Sequence, residues 1–231
     1  MYDQVETAYP IPRTKYTKLY LAGNNTLQST PSNVASVHSY DSTVKKVGLH
    51  FDYVFPERIT LAGFSKLRLF VSCPDHNDLD VYVMLRKLST SGELMEQSNV
   101  PLHELPADIK TAKAVKSVSP CKYLGPTGML RASHREFDPE KSTEYWPFHP
   151  HQRADYINPG TVVELNIGIW PMGIVFEKGE GLRVNLSGRD MRLPEWDNPH
   201  VANMEPVFNV GTHKVHLGGE YAESYVLIPR V

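Results

Sequence analysis

LRLFVSCPDHNDLDVYVMLR, residues 67–86, decides the fold. Leu67, Leu69 and Val71 alternate with Arg68 and Phe70, the two-residue period of a strand with one buried face. Pro74-Asp75-His76-Asn77-Asp78 then supplies residues that favour tight turns. A second alternation follows, with Leu79, Val81, Val83 and Leu85 on one face and Asp78, Asp80, Tyr82, Met84 and Arg86 on the other. The second strand is therefore apolar toward a core and mixed toward a rim, as in a sandwich.

The same period recurs outward from this stretch. Leu49, Phe51, Tyr53 and Phe55 share a face before Pro56 ends the run. Further β segments are predicted at residues 130–135, at 161–169 with Val163, Leu165, Ile167 and Ile169 on one side, and at 182–186. Residues 215–217, Gly218-Gly219 and residues 221–228 read as a hairpin-like end. Residues 87–127 form an excursion without sustained period, with a helical hint near 108–115, and residues 1–48 form a lead-in segment. No internal repeat or Gly/Ser linker divides the chain. The expectation is an all-β, single-domain β-sandwich or jelly roll over 1–231, with about eight main strands and long loops.

Composition narrows the function. The 231 residues are 41% hydrophobic and 22% charged, with 15 glycines and 18 prolines, which excludes disorder and coiled coil. The formal charge of −2, from 24 basic and 26 acidic residues, gives no surplus to attract nucleic acid or an anionic membrane. No apolar window reaches the length of a membrane helix, and the first twelve residues carry Asp3 and Glu6 without a signal-like apolar core. Cys73 and Cys121 are too few for a disulfide framework and are expected as reduced thiols, which fits a cytoplasmic protein.

The motifs of common catalysts are missing. Gly-x-Ser-x-Gly, which places a serine on a strained strand-to-helix turn, is absent; Gly63-Phe64-Ser65-Lys66-Leu67 lacks the second glycine, and Ser65 reads as a turn residue. His149-x-His151 and His213-x-x-His216 lack a third metal ligand, and the carboxylates around Asp75 to Asp80 lack the glycine and distal glutamate of a calcium loop. No metal, cofactor or catalytic residue is assigned. The loop over 137–156 is different, because Tyr145, Trp146, Phe148 and Tyr156 sit among Arg135, Glu144 and Arg153. Large aromatics in a long connection cover something, either the sandwich itself or a ligand or partner. Arg135, Tyr145, Trp146, Phe148, Tyr156, Trp170 and Trp196 are the ligand or interface candidates. Arg131, His134 and Arg135 are expected to satisfy loop carbonyls or to pair with Asp78 and Asp80.

In order along the chain, residues 67–72, 78–83 and 128–135, then Pro159-Gly160 leading to Leu165-Asn166-Ile167 and Pro171, then Phe176, Gly179, residues 182–188 and Asp190, then Gly218-Gly219 and residues 224–229, form a recognisable series. The series resembles the C-terminal β domain of X-Pro dipeptidyl-peptidases and cocaine-esterase-like serine hydrolases, and Tyr9-Pro10-Ile11-Pro12 with residues 16–21 resembles the start of that domain. The resemblance implies a galactose-binding-like jelly roll packed against an α/β-hydrolase domain. It carries no catalytic residue onto this chain, because the family's Ser, Asp and His lie upstream of the matched region.

Two functions follow as expectations. One is a non-catalytic accessory domain that docks to a partner such as the α/β-hydrolase domain and shapes a substrate entrance. It requires an exposed apolar patch. The other is a stand-alone small-molecule binder or non-hydrolytic enzyme of cyclase or isomerase type, which requires a jelly-roll cavity lined by aromatics such as Trp146, Trp170, Tyr156 and Trp196. Sugar binding is a third, resting on architecture alone. A sandwich face without its partner is also expected to be covered by a homodimer.

Overall fold

The computed structural model describes residues 5–44, 48–115, 122–191 and 211–231. Cys121 and Trp196 lie outside the described residues.

The chain runs through β1 (Lys15–Ala22), β2 (Thr26–Gln28), β3 (Ser36–Asp41), β4 (Leu49–Val54), β5 (Ile59–Ser72), β6 (Asp80–Leu88), β7 (Leu94–Met95), β8 (Gln97–Ser98), β9 (Lys122–Tyr123), β10 (Thr127–Arg131), β11 (Val163–Phe176), β12 (Gly181–Ser187), β13 (Thr212–Leu217) and β14 (Tyr225–Arg230). Among the described residues helix is limited to three 3-10 turns, one of them Ala112–Ala114 within the stretch with the helical hint.

These strands make an all-β sandwich. One layer is β10-β6-β12-β4; the other is built on β5, with β11 along one edge and β14 and β13 in succession along the other, continued by β1 and β3. The short β2 joins the layers, antiparallel to β1 and parallel to β4. Side chains from both layers form one apolar cluster, including Leu67, Leu69, Leu165 and Ile167 from one and Phe51, Val83, Leu85 and Val184 from the other.

Several expectations are corrected. The lead-in residues hold three strands, and the count reaches fourteen among the described residues. β5 begins eight residues before Leu67, and Ser65 is no turn residue: it is buried on the core face of that strand. The C-terminal strands do not form a hairpin, because β13 and β14 each pair with β5, at residues 70–72 and at 61–68. The predicted strand at 130–135 stops at Arg131, where the chain turns through Ala132–His134. Asp80 and Met84, read as facing a rim, are buried.

The turn after β10 is fixed by Asp78. Its buried Oδ1 accepts the backbone N–H of Leu79 at 2.9 Å and of Ser133 at 2.8 Å, while Ala132 N–H donates to the Leu79 carbonyl at 2.9 Å. Beside it, Arg131 donates two hydrogen bonds to Asp80, at 2.7 and 3.0 Å, directly across the β6–β10 pair.

Candidate docking face

The strict alternation of β5 leaves its even residues on the side away from the core. Phe64, Lys66, Arg68 and Phe70 are half-buried there, between β11 on one side and β14 and β13 on the other. Register places Tyr16, Lys18 and Tyr20 of β1 opposite Pro229, Leu227 and Tyr225 of β14, so these rows continue across the sheet.

One band of this face is aromatic. Tyr9 meets Phe64 with ring centroids 5.7 Å apart, Phe64 meets Trp146 at 5.0 Å, and Trp146 meets Trp170 edge-on at 6.4 Å. Tyr145 stacks on Tyr16 at 4.8 Å with 9° between ring planes and lies nearly parallel to Phe64 at 6.0 Å. Burial beside Tyr145 pushes the Tyr16 phenol up to about 12.

Two local features display this band. Pro171 has no N–H for the ladder, and the β11–β5 register shifts between Ile169 and Met172. The resulting bulge leaves Trp170 65% exposed. Gly168 supplies the second: a Cβ there would lie 3.1 Å from the Trp146 ring, so the missing side chain makes the seat for the indole.

The loop carrying Tyr145 and Trp146 is clasped to the sandwich. His149 places Nδ1 2.9 Å from the Glu136 carbonyl and Nε2 2.8 Å from the Asn166 carbonyl, bridging the loop to β11. Arg135 donates to the carbonyls of Ala132 and Asp155 and to the Asp155 carboxylate, and Arg153 donates twice to Glu136. His134 contacts the His151 ring, and burial, reinforced by the neighbouring His134 and His149, lowers the His151 pKa.

A second band is ionic. Arg68 donates to Glu164 at 2.7 Å, Asn166 donates to the same carboxylate at 2.8 Å, and Lys18 donates to Glu223 at 3.0 Å while lying over the Tyr225 ring. Burial raises the Glu164 carboxyl, but the bonds from Arg68 and Asn166 outweigh it and hold the pKa below the usual range.

The sequence candidates therefore divide. Tyr145, Trp146 and Trp170 come together on this face. Arg135 braces the loop, Tyr156 is 61% exposed with no ring contact among the described residues, and Phe148 lies under Lys141. Tyr9, Tyr16, Phe64 and Lys66 went unselected because they come from segments distant in sequence. For Tyr16, Phe64 and Lys66 the signal was available: outward positions on regular strands occupied by aromatics and a cation.

Trp146, Trp170 and Tyr156 do not line the interior, which Phe51, Phe176 and the surrounding leucines fill. A groove of about 690 Å³ at one end is lined by Arg13, Lys15, Arg58 and Arg230, but three of these cations already hold Glu6, Glu177 and Glu57. Ser72 Oγ lies 2.9 Å from His216 Nε2, but the serine is 2% exposed and beyond reach of a substrate. Among the described residues no group of His, Cys, Asp and Glu is arranged to hold a metal, and no helix is long and apolar enough to cross a membrane.

Known proteins share this fold. No curated protein sequence matches. Among solved structures, a CocE/NonD family hydrolase from Staphylococcus aureus is similar at 30% identity and TM-score 0.82, over 99% of this chain and 39% of its own. An aminopeptidase from a Thaumarchaeota archaeon (16% identity, TM-score 0.60, 97% of this chain and 38% of its own) and an alpha-amino acid ester hydrolase (15%, 0.55, 94% and 36%) share the fold. The chain thus spans about two-fifths of the length of these enzymes. The family model for the X-Pro dipeptidyl-peptidase C-terminal non-catalytic domain matches residues 2–226, and the chain belongs to that family.

Proposed function

We propose that this non-catalytic domain docks to the catalytic portion of a hydrolase through the outer face of β1, β14, β5 and β11, where it shapes the substrate entrance. The carrying observation is the band from Tyr9 through Phe64 and Trp146 to the exposed Trp170, on the side of the sheet away from its own core. Clustered aromatics with one large ring projecting are the usual anchors of protein interfaces. The relatives are more than twice as long as the matched region, which supplies such a partner. The buried free thiol of Cys73 is consistent with a cytoplasmic setting.

Trp170→Ala tests the anchor. The variant is expected to bind the catalytic portion of the S. aureus hydrolase about thirtyfold more weakly, the cost of losing about 2 kcal/mol at an aromatic hot spot. Its unfolding midpoint should stay near that of the parent. Unchanged affinity in titration calorimetry would move the interface elsewhere.

A further inference from the structure

Lys66 lies at the centre of the docking face. It stands opposite Gly168 on β11 and Leu227 on β14, with Phe64 and Arg68 as its same-face neighbours on β5. The Trp146 indole covers Gly168, the residue paired with Lys66 across the ladder. Two of the nearby carboxylates are already committed: Glu164 receives Arg68 and Asn166, and Glu223 receives Lys18. Glu144, on the loop, lowers the energy of the ammonium at a distance without forming an ion pair. Among the described residues Lys66 forms no hydrogen bond or ion pair, which leaves a half-buried ammonium between an aromatic band and an ionic band. Burial lowers its pKa, with Arg68 and Lys18 adding to the effect and Glu144 opposing it.

A partner seated on the aromatic band would remove this ammonium from water altogether. An uncompensated buried charge is strongly unfavourable, so a stable complex needs an anionic group placed over it. We infer that Lys66 is the binding point for an aspartate or glutamate carboxylate of the hydrolase's catalytic portion, an assignment that rests on the docking reading above. The carboxylate fixes the register of docking, while the aromatic band supplies the contact area.

The test mixes the 231-residue chain with the catalytic portion of the S. aureus hydrolase and adds a water-soluble carbodiimide. The reagent joins an amine to a carboxylate in contact with it as an amide, itself taking up the water as a urea. Mass spectrometry should find Lys66 linked to an aspartate or glutamate of the catalytic portion. Lys66→Arg should keep affinity within about twofold and lose the link, because the charge remains but the amine does not. Lys66→Met should weaken binding about tenfold and flatten its salt dependence. A complex that forms with Lys66 unlinked, and with Lys66→Met binding as tightly as the parent, would overturn the inference and leave docking intact. Absence of any complex would overturn the docking reading and this inference with it.

Discussion

Asp78→Ala should lower unfolding stability by about 2 to 6 kcal/mol, because two buried backbone N–H groups, of Leu79 and Ser133, lose their acceptor and each orphaned donor costs about 1 to 3 kcal/mol. The carboxylate ties the start of β6 to the turn after β10, so its loss also loosens the frame on which Arg131 meets Asp80. Asp78→Asn separates this account from a charge effect. The amide oxygen can occupy the Oδ1 position and accept both bonds, so this variant should stand much closer to the parent. Urea midpoints at equal slope read the difference. An alanine variant within about 0.5 kcal/mol of the parent would show that the two donors find other partners.

Phe176→Ala should cost about 3 to 5 kcal/mol, the range for truncating a buried aromatic and leaving part of its volume empty. Phe176 is fully buried at the end of β11, its ring 4.8 Å from that of Phe55, with the Lys87 ammonium 5.6 Å from its centroid. Phe55 follows β4 of one layer and β11 belongs to the other, so the pair pins the layers together at that end. A shared core predicts one transition that moves as a whole in thermal or urea unfolding. Two transitions, of which only one moves, would mean that the layers unfold separately and that the single-domain reading is wrong.

Much of the sandwich was legible because its central strands alternate cleanly. Leu67, Leu69 and Val71 mark the second half of β5, and Val163 to Ile169 the first half of β11. The missed halves have local causes. In β5 the two inward positions immediately before Leu67 are Gly63 and Ser65, which break the apolar rhythm between Leu61 and Leu67; a Cβ at Gly63 would lie 3.3 Å from Pro229. In β11 Pro171 reads as a terminator, yet the strand absorbs it in a bulge and continues to Phe176. Gly218-Gly219 carries the positive φ angles of a tight turn, 66° and 54°, and so suggested a hairpin, but the two strands that follow and precede it are held by β5 rather than by each other.

The proposed docking face was legible only in part, for a different reason. Tyr145, Trp146 and Trp170 stand out in the sequence as large exposed-loop or strand-end aromatics. The residues they meet, Tyr9, Tyr16, Phe64 and Gly168, are ordinary strand and loop residues until the register of β1, β14, β5 and β11 aligns them. Lys66 is an unremarkable outward lysine in the sequence. Its meaning comes from its neighbours' commitments: Glu164 and Glu223 on the same face are occupied, which no alternation pattern records. The absence of a nucleophile elbow was legible from the start, and the match to a non-catalytic domain over residues 2–226 agrees with it.

Side-chain oxidation footprinting of the chain, alone and with the catalytic portion of the S. aureus hydrolase, tests the central claim most directly. Hydroxyl radicals modify exposed aromatic and sulfur-bearing side chains, so a docked face loses reactivity while the rest of the surface keeps it. The account predicts protection of Tyr9 and Trp170, with Met95 and Tyr123 on the excursion, both exposed, reacting as before. Protection of Met95 and Tyr123 with Tyr9 and Trp170 unchanged, or protection of Trp170 that appears on raising the concentration of the chain alone, would contradict it.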